Sequence, residues 1–292
     1  MGKIAFIDVD GHNFPNLAIM KLSAFHKANN DTVQWYDMFG GRFDIVYKSK
    51  VFTYTTDYMY SINADKIIKG GSGYDYSIKL DTEIEHIMPD YSIYKKNEAY
   101  GFFTRGCPNK CGWCLVPNKE GALCDNADIT EFWNGQKEAI LLDNNVLASD
   151  YGLKQIEKCI KLGIKLDFNQ GLDCRIIAKN EHIAELLSNV KWSKPLRMAC
   201  DTFSQIEHIE MATELLRKHK TTPSNYFIYV LVKDVQDALK RVEILRKLKL
   251  DPFAQPYIDF TGKSKVTKEQ KRFARWVNHK AIFKTVPYEL YS

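Results

Sequence analysis

Three cysteines fall within eight residues: Cys107, Cys111 and Cys114, spaced C-x3-C-x2-C. On a loop, that spacing lets three thiolates converge on one centre, and three thiolates suit a soft metal or an iron–sulfur cluster. A structural zinc site asks for a fourth protein ligand and usually pairs its cysteines as C-x2-4-C. The nearest further thiol is Cys124, ten residues on. A three-cysteine cluster instead leaves one iron without a protein ligand, open to a substrate or cofactor. On the residues alone both readings stand, the second being a non-catalytic zinc or nucleic-acid-binding protein.

The run TRGCPNKCGWCLVPNKEG, with Trp113 just before the last cysteine, resembles the cluster motif of the radical S-adenosylmethionine superfamily. The resemblance covers residues 99 to about 260. It extends to an amino-terminal part similar to the cobalamin-binding-type domain that precedes the barrel in one large subgroup. It implies that Cys107, Cys111 and Cys114 hold a 4Fe-4S cluster whose fourth iron binds the amino and carboxylate groups of S-adenosylmethionine. One-electron reduction would then release a 5′-deoxyadenosyl radical that abstracts hydrogen from an unidentified substrate, with flavodoxin or ferredoxin as the expected type of reductant. Within the superfamily, a cobalamin-dependent methyltransferase acting on nucleic acid is the alternative.

Further candidate cofactor contacts sit just after strand-like runs, where barrel enzymes place their chemistry. Asp143 and Asn144 stand where the superfamily often carries Gly-Gly-Glu, and either side chain could accept hydrogen bonds from an ammonium; a turn or cap is the competing role. Gln170, Asp173 and Arg175 form a polar cluster. Arg175 is the candidate for the methionyl carboxylate, since its planar fork matches a carboxylate bidentately; a local Asp173–Arg175 ion pair is the plain reading. Asp201 reads as the cap of a helix near Phe203. Cys159, Cys174 and Cys200 read as small buried residues, Cys174 being the one to test.

The loop Asp10-Gly11-His12-Asn13-Phe14-Pro15 resembles the cobalamin motif Asp-x-His-x-x-Gly, with Pro15 in place of the final glycine. Gly70-Gly71-Ser72-Gly73 could admit a nucleotide tail. The preferred reading is a vestigial domain that keeps the fold without cobalamin.

These residues need elements to position them. Lys3–Val9, Thr32–Tyr36, Asp44–Tyr47 and Lys66–Lys69 read as short strands, and Asn16–Ala28 repeats apolar residues at helical spacing. From Ala99 the pattern alternates. Strands are expected at Ala99–Arg105, Glu138–Asn144, Ile164–Asn169, Leu196–Asp201, Tyr226–Val232 and Pro252–Ile258. Helices are expected at Leu153–Leu162, Glu181–Val190, Phe203–His219 and Val235–Leu248. Such alternation indicates a parallel sheet with right-handed crossovers. The expected fold is α/β: a small open Rossmann-like domain (1–75), a connector (76–98), a partial (β/α)6 TIM-type barrel (99–260), and a basic helix and tail (261–292).

The chain has 292 residues, a formal charge of +5 and 45% hydrophobic content, which excludes a disordered tail or a small stapled scaffold. No apolar run approaches the ~20 residues of a membrane span, and the first residues lack a signal peptide's apolar core, so a cytoplasmic enzyme is expected. Seven cysteines, an odd number, fit a reducing compartment better than a disulfide framework. Between Lys240 and Lys280, twelve Lys and Arg face four acids. That basic stretch is compatible with nucleic acid or a phosphate-bearing substrate, and equally with a solvated helix over the barrel's open side. Within it, Thr267–Asn278 reads as a helix with Phe273, Trp276 and Val277 inward.

Overall fold

The structure, a computed structural model, describes residues 1–11, 13–222, 226–259 and 264–291. The chain divides into two compact units: Met1–Gly101 with Ala127–Ala139, and Phe102–Asn126 with Ile140–Ser292.

In the first unit, β1 (Lys3–Asp8), β2 (Thr32–Trp35), β3 (Phe43–Ser49) and β4 (Ala64–Gly70) form one parallel sheet in the order β2-β1-β3-β4. β1 is central, and Ile4, Ala5, Phe6 and Ile7 are all buried, as a parallel strand covered on both faces requires. Ala5 and Ile7 pack with Phe43 and Val46. Phe6, pointing the other way by strand alternation, stacks on Tyr47 with ring centroids 5.6 Å apart.

Asn16 caps α1 (Leu17–Ala28) by accepting hydrogen bonds from the Ala18 and Ile19 amides, and its own amide donates to Ser49 Oγ at 2.8 Å. One side chain thus starts the helix and ties it to the end of β3. The unit continues through α2 (Thr82–Glu85) and β5 (Ala99–Gly101). The Tyr91 hydroxyl donates to the carbonyl of Phe132 at 2.5 Å, clasping the returning segment.

The Gly70-Gly71-Ser72-Gly73 turn is not an open cradle. A Cβ on Gly71 would lie 2.3 Å from the Lys50 carbonyl oxygen, and one on Gly73 would lie 2.6 Å from Lys50 Cγ. Gly71 also has φ +94°, where a side chain is strained. The glycines are there because backbone packs on backbone. Gly71→Ala is expected to cost about 2 kcal/mol or more in urea unfolding. Gly70→Ala, whose nearest neighbour is an Ile78 methyl at 4.0 Å, should change little.

The second unit opens with β6 (Thr104–Arg105), α3 (Val116–Lys119) and β7 (Cys124–Asp125), β6 and β7 pairing antiparallel. The chain passes from the first unit into the second along β8 (Glu138–Leu141). Then follow α4 (Asp150–Leu162), β9 (Lys165–Phe168), α5 (Cys174–Lys179), α6 (Glu181–Ser188), β10 (Lys191–Trp192), β11 (Arg197–Ala199), α7 (Ile206–Lys218), β12 (Phe227–Val232), α8 (Val235–Lys247), β13 (Asp251–Pro256), α9 (Lys268–Asn278) and α10 (Lys280–Thr285).

β8, β9 and β10 share one sheet; β11, β12 and β13 form a second, all parallel. The two sheets meet where Leu172 bridges Met198 and Arg197 pairs with Asp167. The fold is α/β, a Rossmann-like open sheet followed by a partial barrel. The short α5 arises inside what reads in sequence as a polar loop, because Asp173 caps it through the Arg175 amide.

Arg241 belongs to the basic stretch by sequence but not by structure. It is 1% exposed. Its guanidinium donates to the carbonyls of Cys200 and Leu231 and pairs with Asp237 at 2.8 Å, so α8 is bolted to the carboxyl ends of β11 and β12. On α9, Phe273, Trp276 and Val277 are buried as the periodicity predicts, while Lys271 and Arg275 are exposed. No helix among the described residues is long and apolar enough to cross a membrane.

Candidate active site

The three cysteines occupy a loop pinned at its base. Arg105 pairs with Cys124 and Thr104 with Asp125 across β6 and β7. Above that pairing, Gly106 has φ +73°, and a Cβ there would lie 2.2 Å from the Ala122 carbonyl oxygen, so only glycine lets the two ends approach. Glu120 completes the closure. Its side chain is 7% exposed, and its Oε2 accepts from the Gly106 amide at 3.1 Å and from Asn144 Nδ2 at 2.8 Å.

Asp143 fixes the entry to the loop. Buried at 4% exposure, it accepts hydrogen bonds from the Phe103 amide (3.2 Å), the Thr104 amide (2.6 Å) and the Thr104 hydroxyl (2.7 Å). Burial pushes its pKa up to about 6 against the pull of those bonds. An oxygen for a ligand's ammonium is the role its place in sequence suggests; the structure instead spends both oxygens on the chain. Asn144 is likewise engaged, through its amide, with Glu120.

Cys107 and Cys111 are half-buried and Cys114 is exposed, none in a disulfide. Burial raises the pKa of Cys111 and Cys114, and the neighbouring thiols add to the rise: Cys107 acts on Cys111, and both act on Cys114. Among the described residues, no three His, Cys, Asp or Glu side chains are grouped so as to hold a metal ion. The donor chemistry nonetheless fits an iron–sulfur cluster, with three free thiols on one closed loop.

A polar network backs the loop. Asp173 accepts from Asn109 Nδ2 (2.9 Å), Asn145 Nδ2 (3.2 Å) and, bidentately, Arg175 Nε and Nη2 (both 2.8 Å). Burial works to raise the Asp173 pKa, but the Arg175 and Asn109 bonds hold it below the usual carboxylate range. Asn145 also reaches Cys107 Sγ at 3.6 Å, while its Oδ1 is buried without a partner. The Arg175 edge formed by Nε and Nη2, which sequence reading offers to a ligand carboxylate, is therefore closed on Asp173. The end-on edge, Nη1 with the second Nη2 hydrogen, is left. The Arg175 charge offsets part of the rise that burial gives the Cys111 pKa. Gln170 is exposed beyond β9.

Trp113 lies over the ends of two further strands. Its side chain offsets part of the rise that burial gives the pKa of Asp201, the residue after Cys200, and Lys233 Nζ sits 4.9 Å from its ring centroid. Asp201 accepts from the Leu231 amide at 3.2 Å, and burial raises its pKa. It is not a helix cap. That task falls to Thr202, in a capping box with Gln205. The loop thus reaches the carboxyl ends of β9, β11 and β12.

No protein-family model matches the chain, and no curated protein matches it. Among solved structures, the cobalamin-dependent S-adenosylmethionine radical enzyme OxsB, with aqua-cobalamin bound, aligns with 97% of this chain and 56% of its own at TM-score 0.54 and 12% identity. What is shared is the fold. Streptococcus suis SuiB aligns with 73% of this chain and 56% of its own, at TM-score 0.44 and 13% identity, and its form bound to S-adenosylmethionine at 0.43 and 14%. The chain spans little more than half the length of these structures.

Glu120, Asn109 and Asn145 were not singled out by sequence. Glu120 lies inside the cysteine run, and an acid closing on the glycine before the first cysteine is the only local signal. Cys124 is exposed at the loop's base; Cys159, Cys174 and Cys200 are buried. In the first unit, Asp10 accepts from the Val51 and Phe52 amides and from the Thr55 hydroxyl at 2.6 Å, tying down the connection after β3. His12 lies outside the described residues.

Proposed function

We propose that the protein is a radical S-adenosylmethionine enzyme in which Cys107, Cys111 and Cys114 hold a 4Fe-4S cluster. The observation that carries this is the pinned three-thiol loop over the carboxyl ends of barrel strands, with Arg175 beside Cys111. The OxsB-like fold supports it. When bound, cluster and S-adenosylmethionine together supply a reductive cleavage of the sulfonium that yields a 5′-deoxyadenosyl radical for hydrogen abstraction. The chain's own residues bind and orient. Glu120, Gly106 and Asp143 hold the ends of the loop whose three thiols would hold the cluster. Asn145 steadies Cys107, and Arg175, its plane fixed by Asp173, would be the residue to take the methionyl carboxylate. Trp113 and Asp201 close the side toward β11 and β12. A reductant of the flavodoxin or ferredoxin type would deliver the electron.

Cobalamin has less support. Asp10 is committed to the 51–55 connection, and the glycine turn is filled by Lys50 backbone.

The test is anaerobic reconstitution with iron and sulfide, followed by reduction with dithionite in the presence of S-adenosylmethionine. About four irons per chain and release of 5′-deoxyadenosine are expected. Uptake of zinc alone, or a cluster that never cleaves the cofactor, overturns the reading.

A further inference from the structure

We propose that a cavity at the amino-terminal end of β13 binds a small phosphate-bearing anion, separately from the cysteine loop. The cavity is about 310 Å³. Its floor is apolar: Leu250, Pro252, Val277 and Phe283 are all buried. Its rim carries four cations, Arg246, Lys249, Lys280 and Lys284, against one carboxylate, Asp251.

The charges are unevenly spent. Lys280 pairs with Asp251 at 2.6 Å. Arg246 is held 4.1 Å over the Phe283 ring, donates to the Phe283 carbonyl and reaches Glu243 only at 3.4 Å, while its Nε has no acceptor. No ion pair among the described residues engages Lys249 or Lys284, both exposed at the mouth. Cations crowded around one small volume repel one another, and a multiply charged anion converts that repulsion into attraction.

The walls are fixed. Asn278 exchanges hydrogen bonds with both backbone groups of Ala254 at 2.8 and 3.0 Å, and Trp276 donates to the Val286 carbonyl at 2.8 Å. The cations therefore converge on a built cavity from the end of α8, the turn after it and α10. Lysine ammoniums beside an arginine are the usual receptors of phosphate oxygens, and the apolar floor suits the organic part of a phosphate ester. Trp113 sits by Lys233, beyond the carboxyl end of β12. Six residues of strand put roughly 20 Å between that end and this cavity, so the two sites are distinct.

The test is calorimetric titration of the full chain with pyrophosphate, with ADP and adenosine as parallel arms at matched ionic strength. Saturable one-to-one binding of pyrophosphate is expected, and none of adenosine. Tighter binding of ADP assigns the floor to a nucleoside, and equal binding assigns the site to the phosphates alone; either supports the proposal. The exposed double variant Lys249→Gln, Lys284→Gln should weaken binding at least ten-fold with an unchanged circular dichroism spectrum. Lys271→Gln with Arg275→Gln, outside the cavity, should not. Pyrophosphate heats no larger than those of added salt, or full binding by the Lys249/Lys284 variant, overturns the proposal. Neither result bears on the cluster.

Discussion

Replacing Cys107, Cys111 and Cys114 together with alanine is expected to drop iron uptake from about four atoms per chain to background and to abolish 5′-deoxyadenosine formation. The urea midpoint should stay near that of the parent. The separation of effects follows from where the thiols lie. Two are half-buried and one is exposed, so shortening them removes little packing. The loop ends are held by other groups: Glu120 on Gly106 and Asn144, and the β6–β7 pairing. Each single variant should also lose cofactor cleavage, since two thiolates do not replace three. Cys159→Ala is the converse control. Cys159 is fully buried, so its loss should cost about 1 kcal/mol of stability and leave iron content unchanged. Iron content measured after desalting decides the matter, and a triple variant that keeps its iron would remove the cysteines from the site.

Asp143→Ala is expected to destabilise the protein by roughly 3 kcal/mol, because it strands two buried amides and a hydroxyl at about 1 kcal/mol or more each. Iron uptake should fall with it, since Thr104 opens the cysteine loop. Asp143→Asn isolates the charge. The Asp143 pKa rises from 3.8 to about 6 on folding, so the native state holds its proton over a range where the unfolded chain has released it. Stability from this group is fully present below pH 3.8 and is lost as pH rises through 6, a change of about 3 kcal/mol. Unfolding free energies at pH 4 and pH 7 should therefore differ less in Asp143→Asn than in the parent by about that amount. Equal pH dependence in the two proteins would show that Asp143 is not the titrating group.

Several other groups show how far sequence reading reaches. The six barrel strands and the helices after them are legible because hydrophobic periodicity is a local property, repeated within a dozen residues. β12, for example, alternates buried and half-buried residues along its whole length. The cysteine loop is legible for the same reason: its spacing is contained in eight residues. Arg241 shows the opposite case. In sequence it is one charge among twelve on a basic stretch; in the fold it is buried, and its partners Cys200 and Leu231 lie 41 and 10 residues away. A count of charges has no means of telling a bolt from a patch.

The candidate cofactor contacts divide along the same line. That Asp143, Asn144, Gln170, Asp173 and Arg175 follow strands is readable from pattern. What each does with its atoms is not. Asp143 turned to Phe103 and Thr104, Asn144 to Glu120, and Arg175 to Asp173. Three of those partners lie 24 to 40 residues away, and the fourth, Asp173, takes an edge of the guanidinium that a ligand could also have taken. The sequence by itself determined the order of the main strands and longer helices, the three-thiol loop and its place after a strand, because each is written in short-range spacing. Only the tertiary structure decided which acids and cations are free to meet a ligand. A charged side chain spends its hydrogen bonds on whatever the fold brings within 3 Å, and that neighbour is set by the closing of the barrel rather than by adjacency in the chain.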